Sequence, residues 1–338
     1  MQWTDRIGRR LKLRDLHILL AVAQAGSMSR AADRLAISHP VVSKTIADLE
    51  HALGVRLLDR TSQGTEPTAY GRALLSCGTV VFDELRRGVQ EIAFLSDPTV
   101  GELRVGSAAP YIDGLVPAVI ARLADRYPQI QFRVTETDAV SLCGMLRERK
   151  LDLVLGRVIS SIFGEDLSSE ILFDDCMHVV AGLKSRWSRR RRIDLAELAG
   201  EPWLMPESDN IAMALISEAY RSAGLTPPTP QIVTNSIALR TRLIETGRFI
   251  AILPDSTLRF GPGRLQIKIL PIRLRLKAPP AVAISLKNRT PNPIARLFID
   301  ELRACVKPLM NRRYERRNVS LRRGPSCLIR RGGEDIGV

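Results

Sequence analysis

The apolar positions near the start of the chain recur with the period of a helix. Leucine and alanine residues lie three or four positions apart over residues 11–25, which predicts one amphipathic helix. A second helix is predicted over residues 30–35, capped by Ser29. A third begins near Pro40, because the missing proline N–H has no intrahelical acceptor at a helix start, and ends at Gly54.

Two short helices joined by about three residues form a helix-turn-helix. Val42, Ile46 and Leu49 repeat at positions i, i+4 and i+7 of the third helix, which predicts that they pack inward. Residues 55–60 and 66–68 are separated by a turn and predict a two-stranded wing. The first 68 residues therefore predict a winged helix-turn-helix.

A long helix is predicted to follow, over residues 69–98. Its apolar residues approach a three-four repeat, the pattern of a coiled-coil seam, at Leu74, Val81, Leu85, Ile92 and Leu95. Gly71, Gly78 and Gly88 lower its intrinsic helicity, so packing against a partner must stabilise it. A helix packed only within its own chain is the alternative.

Residues 101–306 alternate between strand and helix patterns in two groups, which predicts two α/β lobes with doubly wound sheets. The predicted strands are 103–106, 130–135, 151–155, 177–181, 202–205, 231–234, 250–253, 265–271 and 281–286, and the predicted helices are 114–126, a helix ending near 149, 211–223, 237–246 and 293–305. Residues 307–338 have no apolar period and predict a basic, disordered tail.

Two long runs, residues 31–50 and 53–71, resemble the DNA-binding domain of LysR-type transcriptional regulators. His39 departs from the family pattern, which usually has Gln at this position. Residues 101–106, 146–147 followed by 151–153, and 247–254 are similar to the LysR effector domain, which is itself similar to periplasmic solute-binding proteins. Residues 46–50, 59–60 and 82–86 also resemble the galactose-binding-protein regulators, a subgroup of the family.

The resemblance implies an α/β multi-domain protein: a DNA-binding domain (11–68), a linker and dimerisation helix (69–98), an effector-binding domain of two periplasmic-binding-protein-like lobes (101–306) and a tail (307–338). Matching the recognition helix residue by residue implies that His39, Val41 and Lys44 reach base edges in the major groove. Pro40 would contact a thymine methyl. The expected phosphate contacts are Ser27, Ser29, Arg34, Ser43, Thr68 and, from the wing, Arg60. Ser38, where the recognition helix begins, is a further expected DNA-binding residue. Ordinary surface polarity is the alternative for any one of these residues.

Five polar residues follow predicted strands or begin helices in the two lobes, where loops converge on a cleft. They are the expected effector-binding residues Ser107, Asp138, Arg157, Glu207 and Asn235. A sugar-like ligand would suit the paired hydrogen bonds of Asp, Asn and Arg. An anionic ligand would suit Arg157 and a helix N-terminus. Helix capping or surface polarity is the alternative for each.

Charge and composition narrow the function. The chain of 338 residues has a formal net charge of +14, which favours a polyanionic partner. The excess is spread along the chain, however, so charge alone does not locate a DNA site. None of the five cysteines form a CxxC pair, so we expect reduced thiols in the cytoplasm and no zinc site. A basic segment before residues 16–23 superficially resembles a signal peptide, but Asp5 and Asp15 interrupt it.

Two other classes of protein compete with a regulator. An enzyme is disfavoured because the sequence has no P-loop, HExxH or GxSxG motif and no metal-ligand cluster, and His178 is expected to be an ordinary strand residue. A transport-type solute-binding protein would need a true signal peptide in place of the helix-turn-helix. The expected partners are double-stranded DNA, a small-molecule effector and a second copy in a homodimer or homotetramer, with RNA polymerase as a further candidate; no cofactor, metal or membrane is expected.

Overall fold

The computed structural model describes residues 11–61, 64–157, 163–207, 211–261, 265–272 and 278–321, with the side chains of residues 60, 61 and 308–321 excepted. These residues form an N-terminal head, a long helix and two α/β lobes. No helix in the described part of the chain is both long and apolar enough to cross a bilayer.

The head consists of three helices and a hairpin: α1 (Leu13–Ala25), α2 (Met28–Leu35), α3 (His39–Leu53), β1 (Leu58–Thr61) and β2 (Gly64–Pro67). Gly26 and Gly54 end α1 and α3 in the left-handed region, at φ 63° and 71°, where glycine avoids the steric cost of a Cβ. Val42, Ile46 and Leu49 are buried against α1, which confirms their predicted inward packing. The N-cap of α2 is Ser27, so the prediction that Ser29 caps it is wrong.

The long helix, α4 (Ala69–Ser96), packs closely on the head at its beginning. Gly71 and Gly78 are both buried there. A Cβ at Gly71 would overlap the Leu57 carbonyl, and one at Gly78 would press on the Leu16 side chain. These glycines therefore permit a close approach between α4 and the head, which offsets the helicity that they cost.

Lobe 1 contains a five-stranded sheet in the order β4-β3-β5-β12-β6. Strands β3, β4 and β5 are parallel, and β12 is antiparallel to both β5 and β6. Its elements are β3 (Val100–Ser107), α5 (Ala109–Ile112), α6 (Leu115–Arg126), β4 (Gln129–Glu136), α7 (Ala139–Arg147), β5 (Leu153–Arg157), β6 (Leu167–Phe173), β12 (Ala281–Leu286) and α11 (Pro293–Leu321).

Lobe 2 contains a second five-stranded sheet in the order β11-β7-β10-β8-β9. Strands β8, β9 and β10 are parallel, and β7 is antiparallel to β10 and β11. Its elements are β7 (Met177–Gly182), two 3₁₀ turns (Arg186–Arg189 and Leu195–Leu198), β8 (Trp203–Met205), α8 (Ile211–Ser222), β9 (Pro230–Val233), α9 (Ile237–Glu245), β10 (Ile250–Pro254), α10 (Asp255–Phe260) and β11 (Ile267–Ile269).

The chain passes between the lobes twice, through residues 174–176 and again between β11 of lobe 2 and β12 of lobe 1. The last helix, α11, continues to Leu321, whereas the sequence pattern ends it at Cys305. The prediction of a structureless tail is therefore wrong for residues 307–321. Residues 322–338 lie outside the described residues.

Candidate DNA-binding and effector-binding sites

Helix α3 is partly buried and partly exposed to solvent. Three of its residues, Val42, Ile46 and Leu49, belong to the head core. His39, Pro40, Val41 and Lys44 are exposed, and Pro40 and Lys44 are one helical turn apart. Ser38 is the N-cap, and its hydroxyl makes no capping hydrogen bond to the helix. The predicted base-contacting residues are therefore exposed in the first two turns of a helix, an element that a major groove admits.

The residues expected to contact phosphate differ in their exposure and in their hydrogen bonds within the protein. Ser29 is exposed, Ser27 and Ser43 are half-buried, and Arg34 donates to Gln24 Oε1 at 3.0 Å. Thr68 Oγ1 accepts from Gly71 N at 3.0 Å and donates to Arg56 O at 2.7 Å. Thr68 thus caps α4, and a phosphate contact by its hydroxyl would compete with these bonds.

A backbone hydrogen bond joins the wing to the helix-turn-helix. Strands β1 and β2 are antiparallel, with Asp59 opposite Glu66, and Thr65 N donates to Gly26 O at 3.0 Å. The side chain of Arg60 and residues 62–63 at the tip lie outside the described residues. The predicted contact between Arg60 and the DNA backbone stays a prediction.

Helix α4 has an exposed apolar stripe formed by Leu85, Val89, Ile92 and Leu95. Val89, Ile92 and Leu95 are 67%, 66% and 76% exposed. Leu74 packs instead on the head core, so it does not belong to this stripe as the predicted seam has it. An apolar stripe of this kind on a surface helix suits a second copy of the helix.

The other side of α4 is fastened to lobe 1 by a cluster of buried charges, which we call the junction cluster: Asp83 and Arg87 from α4, Arg104 from β3, and Arg149, Asp152 and Arg289 from lobe 1 loops. Arg289 makes a two-pronged contact with Asp83, Nε to Oδ2 at 2.6 Å and Nη2 to Oδ1 at 2.8 Å. Arg87 and Arg104 both bind Asp152.

Both carboxylates of the junction cluster are held in their ionised form. Burial alone would raise the pKa of Asp83, but hydrogen bonds from Arg289, Arg86 and Arg149 hold it well below its ordinary value. Burial likewise opposes ionisation of Asp152, and the hydrogen bond from Arg104 with the charge of Arg87 lowers its pKa. The long helix and lobe 1 are thus joined by ion pairs that water scarcely reaches.

The expected effector residues of lobe 1 lie at the carboxyl ends of three adjacent strands, β4, β3 and β5. Ser107 is fully buried, and its Oγ donates to Ala108 O at 3.1 Å. Asp138 is exposed and caps α7, accepting from Ser141 N at 2.9 Å. The hydrogen bonds from Ser141 lower the pKa of Asp138. Asp138 thus has the capping role that was the alternative to ligand binding.

Arg157 is occupied by the two interlobe crossings. Its Nη1 donates to Pro279 O, and its Nη2 donates to Asp175 Oδ2 at 2.7 Å and to Asp175 O at 2.9 Å. Asp175 in turn accepts from Ser256 N and Oγ of lobe 2, each at 2.9 Å. Arg157 therefore ties the crossings to lobe 1, and its expected ligand contact would have to replace one of these bonds.

In lobe 2, the parallel strands β8, β9 and β10 end side by side. Glu207 and Asn235 meet at this edge, where Glu207 N donates to Asn235 Oδ1 at 3.2 Å, and both residues are exposed. The structure therefore brings Glu207 and Asn235 into contact in lobe 2, and places Ser107 and Arg157 on the neighbouring strands β3 and β5 of lobe 1.

Sequence reasoning missed several buried polar groups around the cleft. Burial raises the pKa of Asp175 although the charge of Arg157 opposes it. Burial also raises the pKa of Tyr111, whose hydroxyl has no hydrogen-bond partner among the described residues. His178 is a strand residue as predicted, and its Nε2 lies 3.3 Å from Asp255 Oδ1. The one local signal was the pair of carboxylates, Asp174 and Asp175, just before the apolar strand that begins at Met177.

Family models match nearly the whole described chain. Residues 13–72 match the bacterial regulatory helix-turn-helix protein of the lysR family, and residues 96–306 match the LysR substrate binding domain. The chain belongs to the LysR family. It is accordingly a DNA-binding transcription regulator with an effector-binding domain, and not an enzyme. Family members bind DNA and effectors and form oligomers, so double-stranded DNA, an effector and further copies of the chain are its partners.

Curated relatives are similar to this chain over most of its length, and solved structures share its fold. The regulator GbpR of Azospirillum brasilense is 26% identical over 314 residues, 90% of each chain. The regulator OxyR of Escherichia coli K12 is 27% identical over 310 residues, 90% of this chain and 98% of that one. A full-length OxyR variant from Pseudomonas aeruginosa has a TM-score of 0.65 and 23% identity, covering 87% and 95%. Full-length CbnR, solved with its target DNA, has a TM-score of 0.58 and 22% identity, covering 87% and 99%.

Proposed function

We propose that this LysR-family regulator reads one DNA sequence as a homodimer in the cytoplasm, with α3 of each copy in a major groove. The observation that carries the proposal is the exposure of His39, Val41 and Lys44 in the first two turns of α3, while Val42, Ile46 and Leu49 of the same helix are buried. A helix that is fixed by its buried residues and exposed at its N-terminal turns can hold side chains against base edges.

The dimer is supported by the apolar stripe of α4. Two copies joined along this stripe would place two α3 helices for a near-palindromic site with half-sites one or more helical turns apart. We propose a dimer and not a tetramer, together with this half-site spacing.

The effector is a small polar molecule, a sugar or an organic acid, bound between the lobes. Supporting residues are Ser107, Glu207 and Asn235, which lie at carboxyl ends of strands where ligands of open α/β sheets bind. Bound effector shifts an equilibrium between two lobe arrangements, and the junction cluster carries the shift to α4. A sugar is favoured by the resemblance to the galactose-binding-protein regulators, and an acid by Arg157 at the carboxyl end of β5.

DNA binding is tested with the duplex upstream of the protein's own gene and a scrambled duplex, titrated over a series of salt concentrations. The double variant His39→Ala, Lys44→Ala should lose about 1–3 kcal/mol of binding free energy for each base contact removed, which is about 5- to 150-fold in affinity. This loss should occur on the upstream duplex only. Lys150→Ala, which removes an exposed lysine of lobe 1, is the control and should bind as wild type does.

Equal and steeply salt-dependent binding of both duplexes by all three proteins would refute sequence recognition by α3. It would leave only the nonspecific attraction of a basic protein for phosphate.

A further inference from the structure

Arg240, in lobe 2, is a buried cation that has no counter-charge within the described part of the chain. It lies on α9 between Ile237 and Ile244, on the face of the helix that packs on the sheet, and is 4% exposed. No ion pair of Arg240 is found among the described residues, and its Nε has no hydrogen-bond partner there. Burial lowers its pKa to about 10, and no neighbouring charge opposes that effect. A buried charge in this state is costly and is uncommon without a function.

The position of the guanidinium points to the effector cleft. Among the described residues, the guanidinium makes one hydrogen bond, from Nη1 to Ile252 O, and at 3.4 Å this bond is long and weak. Ile252 lies two residues before the carboxyl end of β10, at the edge where β8 and β9 also end. Side chains of a helix lean toward its N-terminus, and the N-terminus of α9 lies at this same edge, next to Asn235.

A second feature favours an anion at this edge. The first N–H groups of α9 have no intrahelical acceptors, and Ser236 Oγ accepts one of them, Leu239 N, at 3.2 Å. The helix dipole adds a partial positive charge there. Arg240 lies one turn into α9, so its charge and the helix dipole act in the same direction at one place.

We propose that Arg240 anchors a carboxylate, sulfate or phosphate group of the effector at the lobe 2 edge of the cleft, so that the effector is an acid and not a neutral sugar. This inference rests on the proposed effector site between the lobes. The anion supplies the missing counter-charge and replaces the weak bond to Ile252 O with charge-assisted hydrogen bonds to the guanidinium.

The test is the melting temperature of the full-length protein in a matched set of small molecules at constant ionic strength. The probes are galactose and galacturonate, which differ by one carboxylate, together with pyruvate, succinate and sulfate, each against chloride. At least one anion should raise the melting temperature of wild type by about 3 °C or more when it is well above its Kd. Galactose should do so less than galacturonate.

Three variants locate the effect. Arg240→Met should remove the anion response and should melt no lower than wild type without anion, because an unpaired buried charge is replaced by an apolar chain. Arg240→Lys keeps the positive charge but loses the planar guanidinium that can donate two parallel hydrogen bonds, and should weaken anion binding about tenfold. Arg242→Met alters a side chain that is 84% exposed on the same helix, and should respond as wild type does.

An anion response that persists in Arg240→Met, or a wild type that no anion stabilises, would overturn the inference. Stabilisation of wild type and Arg240→Met alike by galactose would also overturn it while leaving the effector cleft intact. Binding of the upstream duplex is measured on the same proteins without ligand, and failure of wild type there would count against the proposed function instead.

Discussion

The substitution Asp83→Asn tests the attachment of the long helix to lobe 1. It keeps the size of the side chain but removes the charge that pairs with Arg289 and Arg149, whose side chains are 4% and 10% exposed. Removing one partner of a buried ion pair leaves the other charge unpaired and costs about 3–5 kcal/mol. For a domain of this size, the lower value corresponds to a fall in melting temperature of about 6–12 °C.

The assay is thermal unfolding of the full-length protein at neutral pH, followed by circular dichroism. Asp300→Asn is the matched control, because Asp300 also pairs with an arginine of lobe 1 but its side chain is 72% exposed. Exposed pairs contribute little, so the control should change the melting temperature by about 2 °C at most. A variant Asp83→Asn that melts within 2 °C of wild type would refute the reasoning.

The pH dependence of the same pair of proteins gives an independent check. Because the pKa of Asp83 is lowered in the folded protein, its stabilising contribution is fully present above its ordinary pKa, near 3.9, and is lost as the pH falls below that value. Each unit below it removes about 1.4 kcal/mol until the folded pKa is reached. The difference between wild type and Asp83→Asn should therefore be constant from pH 7 to pH 5 and shrink in stronger acid.

Three further outcomes follow from the structure. Val89→Glu with Ile92→Glu should weaken self-association by about 2–4 kcal/mol, some 30- to 1,000-fold in Kd by analytical ultracentrifugation, whereas Glu91→Gln should not; unchanged association would exclude the α4 stripe as the interface. Thr68→Ala should destabilise the head by about 1 kcal/mol in a thermal melt through loss of its cap, and no change would deny that role. Asp175→Asn should lower the free energy of unfolding by about 3 kcal/mol because Arg157 loses its buried counter-charge, and a thermal melt identical to that of wild type would contradict this.

The head was predictable because its signals are local. The apolar period of α3 identifies its buried face, and Gly54 marks its end within one residue. The error at the start of α2 is of the same kind, since Ser27 and Ser29 are both good caps and two residues apart. Local preference alone does not choose between them.

Strand β6 was not predicted because its pattern is not that of a strand. Leu167 and Phe173 are buried, but residues 168–171 are all exposed, so the period-two alternation is absent. Its place in the sheet comes from pairing with β12, more than a hundred residues later in the chain. A pairing of that range leaves no mark in the local sequence.

The contacts of the effector residues also depend on residues that are distant in the sequence. Arg157 follows a strand, which places it correctly at the carboxyl edge of the sheet. Its partners Asp175 and Pro279 are 18 and 122 residues away in sequence, so its engagement by the two crossings could not be inferred. Asp83 and Arg289 are separated by 206 residues, and the junction cluster was invisible for the same reason.

The most direct test of sequence-specific DNA recognition by α3 is a DNase I footprint on the DNA upstream of the protein's own gene. Wild type should protect two half-sites one or more helical turns apart, at concentrations where Lys44→Ala with His39→Ala protects neither. Uniform protection along the fragment by both proteins, or identical footprints of wild type and variant, would contradict the account.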